Sequence, residues 1–203
     1  MENNKKDLII SSSRHLSVQV ETANIQLSIA SQLSLNIENK LLVALLKNIH
    51  TEEAVEFISK YSYLNDELIS KYEDKWNWGG LSNNEALPWS LALIEQFKEK
   101  WDWERLSDNK TLPWSLALIE QFKEKWDWWL LSDNEALLWS LALIEQFKGQ
   151  WAWWLLSDNE ALPWSLALIE QYKEKWDWER LSDNEALPWS LALIEQFKDQ
   201  WDW

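Results

Sequence analysis

The groups that could do chemistry in this chain are few in kind and mostly repeated. His15 and His50 stand alone, with no cysteine, no nucleophile motif and no phosphate-binding loop. General acid–base catalysis needs a group that titrates near neutrality and a partner to orient it, and neither histidine has one in sequence. Carboxylates are abundant, and Asp102, Asp127, Asp177 and Asp202 each stand between two tryptophans. An active site has little use for four equivalent copies of one acid, so helix capping is expected of them, and no enzymatic activity. The Ser-Asp-Asn-Glu corners at 132–135, 157–160 and 182–185 repeat oxygen ligands. Calcium loops need a glycine turn and a distal bidentate Glu, both missing here, so capping and turn roles are expected and no metal. The 19 tryptophans are the remaining option. Flat rings stack on sugars, and rings in acidic surroundings can cage a cation. Sugar-binding repeats, however, expose aromatics on glycine-rich hairpins, and this chain has three Gly and no alternation of period two there. An aromatic stripe at helical spacing is core, so most rings should be buried and no cofactor is expected.

These groups recur because residues 81–203 say one sentence five times, L-S-x-N-x-x-L-x-W-S-L-A-L-I-E-Q-[FY]-K-x-x-W-x-W. Copies begin at Leu81, Leu106, Leu131, Leu156 and Leu181, and a degenerate copy occupies residues 62–80, with Leu68 and Ile69 under Leu93 and Ile94, and Trp76 and Trp78 under Trp101 and Trp103. A fixed period of this size marks stacked repeats. Three Gly and four Pro against many Leu, Ala, Glu, Gln and Lys favour helix. The expected fold is mainly α, a solenoid of 25-residue two-helix repeats with a small, mostly helical N-terminal region.

Within a unit, Pro88 suits the first position of a helix running from about 88 to 101. Its buried face would be Trp89, Ala92, Leu93, Ile94, Phe97 and Trp101, with Glu95 and Lys98 paired on the solvent side. Asp102 would cap a second, short helix, and Asn109 would end it in left-handed geometry. Neither helix can bury its face alone, so units must stack, and the Trp at 89, 101 and 103 and their copies would form continuous ladders.

Residues 1–61 form the capping region and 62–203 the array. Between 18 and 37 the pattern fits strand and helix equally; 41–49 reads as a buried helix, and Thr51, Glu52 and Glu53 open a capped one over Ala54, Val55, Phe57 and Ile58. The formal charge of −15 is uneven, about −3 over residues 1–75 and −12 over 76–203. That array would repel phosphate backbones and anionic bilayers, so neither nucleic acid nor membrane is an expected partner. No apolar run approaches a membrane span or a signal-peptide core, and the absence of Cys fits a reducing compartment, so the expected location is cytoplasmic.

The repeated string, most complete from Leu156-Ser157 to Trp176-Asp177-Trp178, resembles that of tryptophan-rich tandem-repeat proteins of bacteria and large DNA viruses. The resemblance covers residues 62–203 and implies a helical repeat array; it implies nothing about catalysis.

The copies disagree in one place. The pair after each W-x-W reads Gly79-Gly80, Glu104-Arg105, Trp129-Leu130, Trp154-Leu155 and Glu179-Arg180; nearby, Pro becomes Leu138, Glu-Lys becomes Gly149-Gln150, and Asp becomes Ala152. Slots that hold Glu and Arg in outer copies should be exposed, and by stacking symmetry exposed in the middle too. Trp129, Leu130, Ala152, Trp154 and Leu155 would then form an uncharged apolar strip on an acidic surface, the mark of a surface for a protein partner or for self-association. A semi-buried groove, or cover by the N-terminal region, are the alternatives. The last copy, ending at Trp201 and Trp203, would leave an apolar layer open unless its end helix tucks the rings in, ends associate, or the chain is a fragment of a longer array.

Overall fold

The computed structural model describes Lys40, residues 52–61 and residues 63–202. By packing, the chain divides into residues 1–51 and 52–203. Of the first unit only Lys40, in a helix, is described, so the expectations for 18–37 and 41–49 lie outside the described residues.

The second unit is all helical among its described residues. It opens with α1 (Glu52–Tyr61), α2 (Asp66–Lys71), a 3-10 turn (Glu73–Lys75) and α3 (Trp78–Ser82). Then come alternating six-residue helices: α4 (Leu91–Gln96), α5 (Trp103–Asp108), α6 (Leu116–Gln121), α7 (Trp128–Asp133), α8 (Leu141–Gln146), α9 (Trp153–Asp158), α10 (Leu166–Gln171), α11 (Trp178–Asp183) and α12 (Leu191–Gln196). The helices that begin at the second Trp of W-x-W stack in a row, α3 on α5, α5 on α7, α7 on α9 and α9 on α11. Each repeat touches its neighbours, which makes the array an α-solenoid. α1 lies within the segment 1–61 yet packs on α3 in the same row.

The first helix of each unit is shorter than the expected span 88–101. Its start is moved by Ser90, an extended residue (φ −147°, ψ 156°) whose hydroxyl accepts from the Leu93 N–H and so acts as N-cap. Pro88 sits in the link before it. Leu138, in the proline slot, leaves α8 beginning at Leu141 behind the same serine cap, so proline does not set the boundary. The end comes at Gln96 because two indoles draw the chain back. Trp101 donates Nε1–H to the Ile94 carbonyl at 3.1 Å and Trp103 to the Lys98 carbonyl at 2.9 Å, satisfying oxygens that a continuing helix would use. Within this helix Leu93 and Ile94 are buried with Phe97 and Trp101 beyond it, but Ala92 is exposed, which corrects the expected face. The Glu95–Lys98 pair is present at 2.7 Å, on the solvent side where such a pair adds little.

The short helices are capped as the sequence suggests. Asp102, Asp127 and Asp177 accept the N–H of Arg105, Leu130 and Arg180. α9 has Ala152 at this position and no side-chain cap. Restoring the residue of the sister repeats with Ala152→Asp should therefore stabilise the chain by about 1 kcal/mol, read as a rise in the urea midpoint; an unchanged midpoint would mean that the cap is immaterial here.

Asn109 does not end its helix in left-handed geometry: its φ is −71° and ψ 118°, and no described non-glycine residue has positive φ. It is buried, and its side chain joins two repeats. Nδ2 donates to the Ser82 carbonyl at 3.0 Å, and Oδ1 accepts from the Thr111 N–H at 2.9 Å. Asn84, Asn134, Asn159 and Asn184 reach back in the same way to the carbonyls of Ser59, Ser107, Ser132 and Ser157. Those serines are buried and serve twice. Ser107 Oγ donates to the Trp103 carbonyl and accepts the Asp127 N–H. The corners read as turns do turn the chain, Asn134 Oδ1 accepting the Ala136 N–H, and their Ser and Asn are also polar clasps inside the stack; no buried side-chain N or O lacks a partner among the described residues. Ser59, in α1, supplies the same two acceptors to Asn77 and Asn84.

Among the described residues the rings do not form continuous ladders. Their repeated contacts gather at the junctions in groups of four, for example Trp103, Trp114, Phe122 and Trp126, with Trp103 edge-on to Trp126 at 4.8 Å. Each group is closed by its own indole bonds and by backbone turns. In one group Tyr172 replaces Phe; burial and its hydrogen bond to Glu145 push its pKa up to about 12, so it remains a donor.

Candidate functional site

Three of the tryptophan positions in each unit have fixed work. The first Trp of W-x-W donates to a carbonyl seven residues back, as Trp126 does to Ile119, and the second to one five residues back, as Trp128 does to Lys123. The Trp before the serine cap also reaches five residues back, as Trp139 does to Asn134. Among the described residues, only Trp129 and Trp154 have indole N–H groups without such an acceptor. They lie in neighbouring repeats, on α7 and α9, with ring centroids 5.9 Å apart and planes at 60°. Trp129 is 60% exposed and Trp154 40%.

The glycines of the first copy reveal which way this pair of slots points. A Cβ on Gly79 would stand 3.5 Å from Arg105 Nε and 3.6 Å from Asp102 Oδ2, toward the following short helix. A Cβ on Gly80 would stand 3.1 Å from Ser59 Cβ and 3.4 Å from the Glu56 carbonyl, toward the preceding one. Trp129 and Trp154 occupy the first kind of slot, Leu130 and Leu155 the second.

The expected strip is therefore only partly a surface. Trp129 and Trp154 are exposed, Leu130 and Ala152 are half-buried, and Leu155 is 7% exposed. Leu155 is the correction. Its slot faces the preceding helix, and a short aliphatic side chain has no charged head to carry to solvent, whereas Arg105 in the same slot keeps its guanidinium out. Stacking symmetry fixes the direction of a slot but not the depth of the side chain that fills it.

Arg180, a charged residue beside the strip, was not among the sequence candidates. Arg180 places its guanidinium 4.6 Å from the centroid of the Trp154 ring. It also pairs with Asp158, one turn along α9 from Trp154, and approaches Asp177 at 3.6 Å. The signal was present in the 26-residue step from Trp154 to Arg180, which the slot directions turn into a contact.

Elsewhere the surface offers shallow polar clefts at the junctions, such as one of about 450 Å³ lined by Glu170, Lys173, Glu174 and Gln196. Gln196 donates there to Glu170 at 2.7 Å, and Lys173 holds the same carboxylate below its ordinary pKa range by hydrogen bonding. No group of His, Asp and Glu among the described residues is arranged to hold a metal ion. No described helix is long and apolar enough to cross a membrane.

Fold and site together define a tryptophan-clustered helical repeat array. The chain matches no family model, no curated protein and no solved structure.

Proposed function

We propose that this chain is a non-enzymatic scaffold of the tryptophan-rich tandem-repeat kind, acting in the cytoplasm and binding a protein partner through Trp129 and Trp154. One observation carries the reading. In a chain where every other described tryptophan is tied into the fold, these two hold no backbone acceptor, contact each other, and stand exposed within a stretch, residues 76–203, of charge −12. Burial of large rings at the centre of an interface supplies most of its binding energy. A sugar platform is less well supported, because rings inclined at 60° offer no common flat face.

The double substitution Trp129→Glu/Trp154→Glu tests this. Neither ring holds a backbone acceptor, so the thermal transition should stay close to that of the original chain. Capture of a partner from cell extract should be lost, or, where the partner is a second copy, concentration-dependent growth in light-scattering mass should disappear. Equal capture and equal mass in both proteins would remove these rings from the function; a collapsed thermal transition would place them in the core.

A further inference from the structure

The helices α7 and α9 are the same hexapeptide, WWLLSD. They differ in what the next repeat lays on them. Over α9 lies Arg180, its guanidinium between the Trp154 ring and the Asp158 carboxylate. Over α7 the corresponding residue is Leu155, and the residue corresponding to Asp177 is Ala152. The result is visible in exposure, 40% for Trp154 and 60% for Trp129. Asp133, the counterpart of Asp158, is exposed and pairs with no cation among the described residues.

One half of a cation site is thus repeated without the other half. An indole face and a carboxylate one helical turn apart suit a planar guanidinium, which stacks on the ring while its edge donates to the carboxylate. The same chain displays that arrangement one repeat away, with identical residues on the receiving helix. The acidic array adds long-range attraction for a basic segment and repels an acidic one.

We propose that α7 receives an arginine side chain of a partner protein, laid between Trp129 and Asp133 as Arg180 is laid between Trp154 and Asp158. The inference rests on the interaction surface proposed above and names what that surface recognises.

The whole chain, labelled at its indole nitrogens, is titrated with a short glycine–serine peptide carrying one arginine, and with the same peptide carrying citrulline, which has the shape without the charge. The arginine peptide should shift the Trp129 signal, and citrulline should bind about tenfold more weakly. Leu155→Arg supplies in cis what Arg180 supplies to α9, so it should abolish the response. Gln150→Lys adds the same charge at a slot that holds Lys in sister repeats and should retain it. Asp133→Asn, at an exposed position, should weaken binding without changing the fold.

No shift with arginine, an equal response to citrulline, or an unaltered response in Leu155→Arg would overturn arginine recognition. If partner capture still depends on Trp129 and Trp154 when the peptide gives no response, the interaction surface stands and only its arginine specificity falls. If capture and peptide response are both indifferent to those rings, both readings fall together.

Discussion

Trp126→Ala is expected to destabilise the chain by about 3 to 5 kcal/mol, enough to lower the thermal midpoint by about 10 °C. The ring is 5% exposed and meets Trp103, Trp114 and Phe122, so its removal opens a cavity at a junction between two repeats. It also leaves the Ile119 carbonyl, now bonded to Nε1 at 3.1 Å, without its partner. Trp126→Phe separates the two effects. It keeps an aromatic ring but cannot donate, so it should lose about 2 kcal/mol. Urea unfolding of both variants measures the difference, and a loss under about 1 kcal/mol for alanine would mean that neighbouring rings close the gap.

Asn134→Ala should cost about 2 to 4 kcal/mol without leaving a large void. Its Nδ2 donates to the Ser107 carbonyl at 2.9 Å, and its Oδ1 accepts the Ala136 N–H at 2.9 Å. Alanine strands both groups in the interior, each at about 1 to 3 kcal/mol. Asn134→Asp is isosteric and should be worse near neutrality, because a carboxylate cannot donate to Ser107 and its charge would be buried. Burial raises the carboxyl pKa in the folded state above its unfolded value. The folded state then holds the proton more tightly, so the deficit of this variant relative to the original chain appears as pH rises above the unfolded pKa and shrinks as pH falls. A deficit independent of pH between 4 and 7 would show that water reaches the site. A small effect of alanine would mean that the clasp is dispensable.

The period, the helical class and the cap at Asp102 could be read directly, since each depends on residues close in sequence. Helix length could not. Ser90 looks like a tolerated polar residue inside a helix that begins at Pro88, and Leu93, three residues on, is not the Glu or Gln of a capping box. The helix end was hidden too, because Trp101 and Trp103 look like the apolar face of a longer helix while their indole N–H groups act on the backbone. Asn109 reads as a turn residue because its partner, the Ser82 carbonyl, lies 27 residues away. The available clue was that Asn holds its place in all five copies while its neighbours change, from Asn83 to Asp108 on one side and from Glu85 to Lys110 on the other. At the candidate site, loss of charge marked Trp129 and Trp154, whose rings stand exposed. The depth of Leu155 and the arrival of Arg180 depend on which neighbour each slot faces, and that becomes visible only once the short helices are stacked.

Every clasp between units spans the same short interval, 20 residues from serine hydroxyl to backbone N–H and 27 from serine carbonyl to asparagine in the regular copies. Removing or inserting one 25-residue unit in the gene would bring another serine, asparagine and indole into the place of the old ones, and the junction would close with the same bonds. Copy number is therefore free to vary by unequal recombination without any compensating change, while a deletion whose length is not a multiple of 25 would break a junction at once.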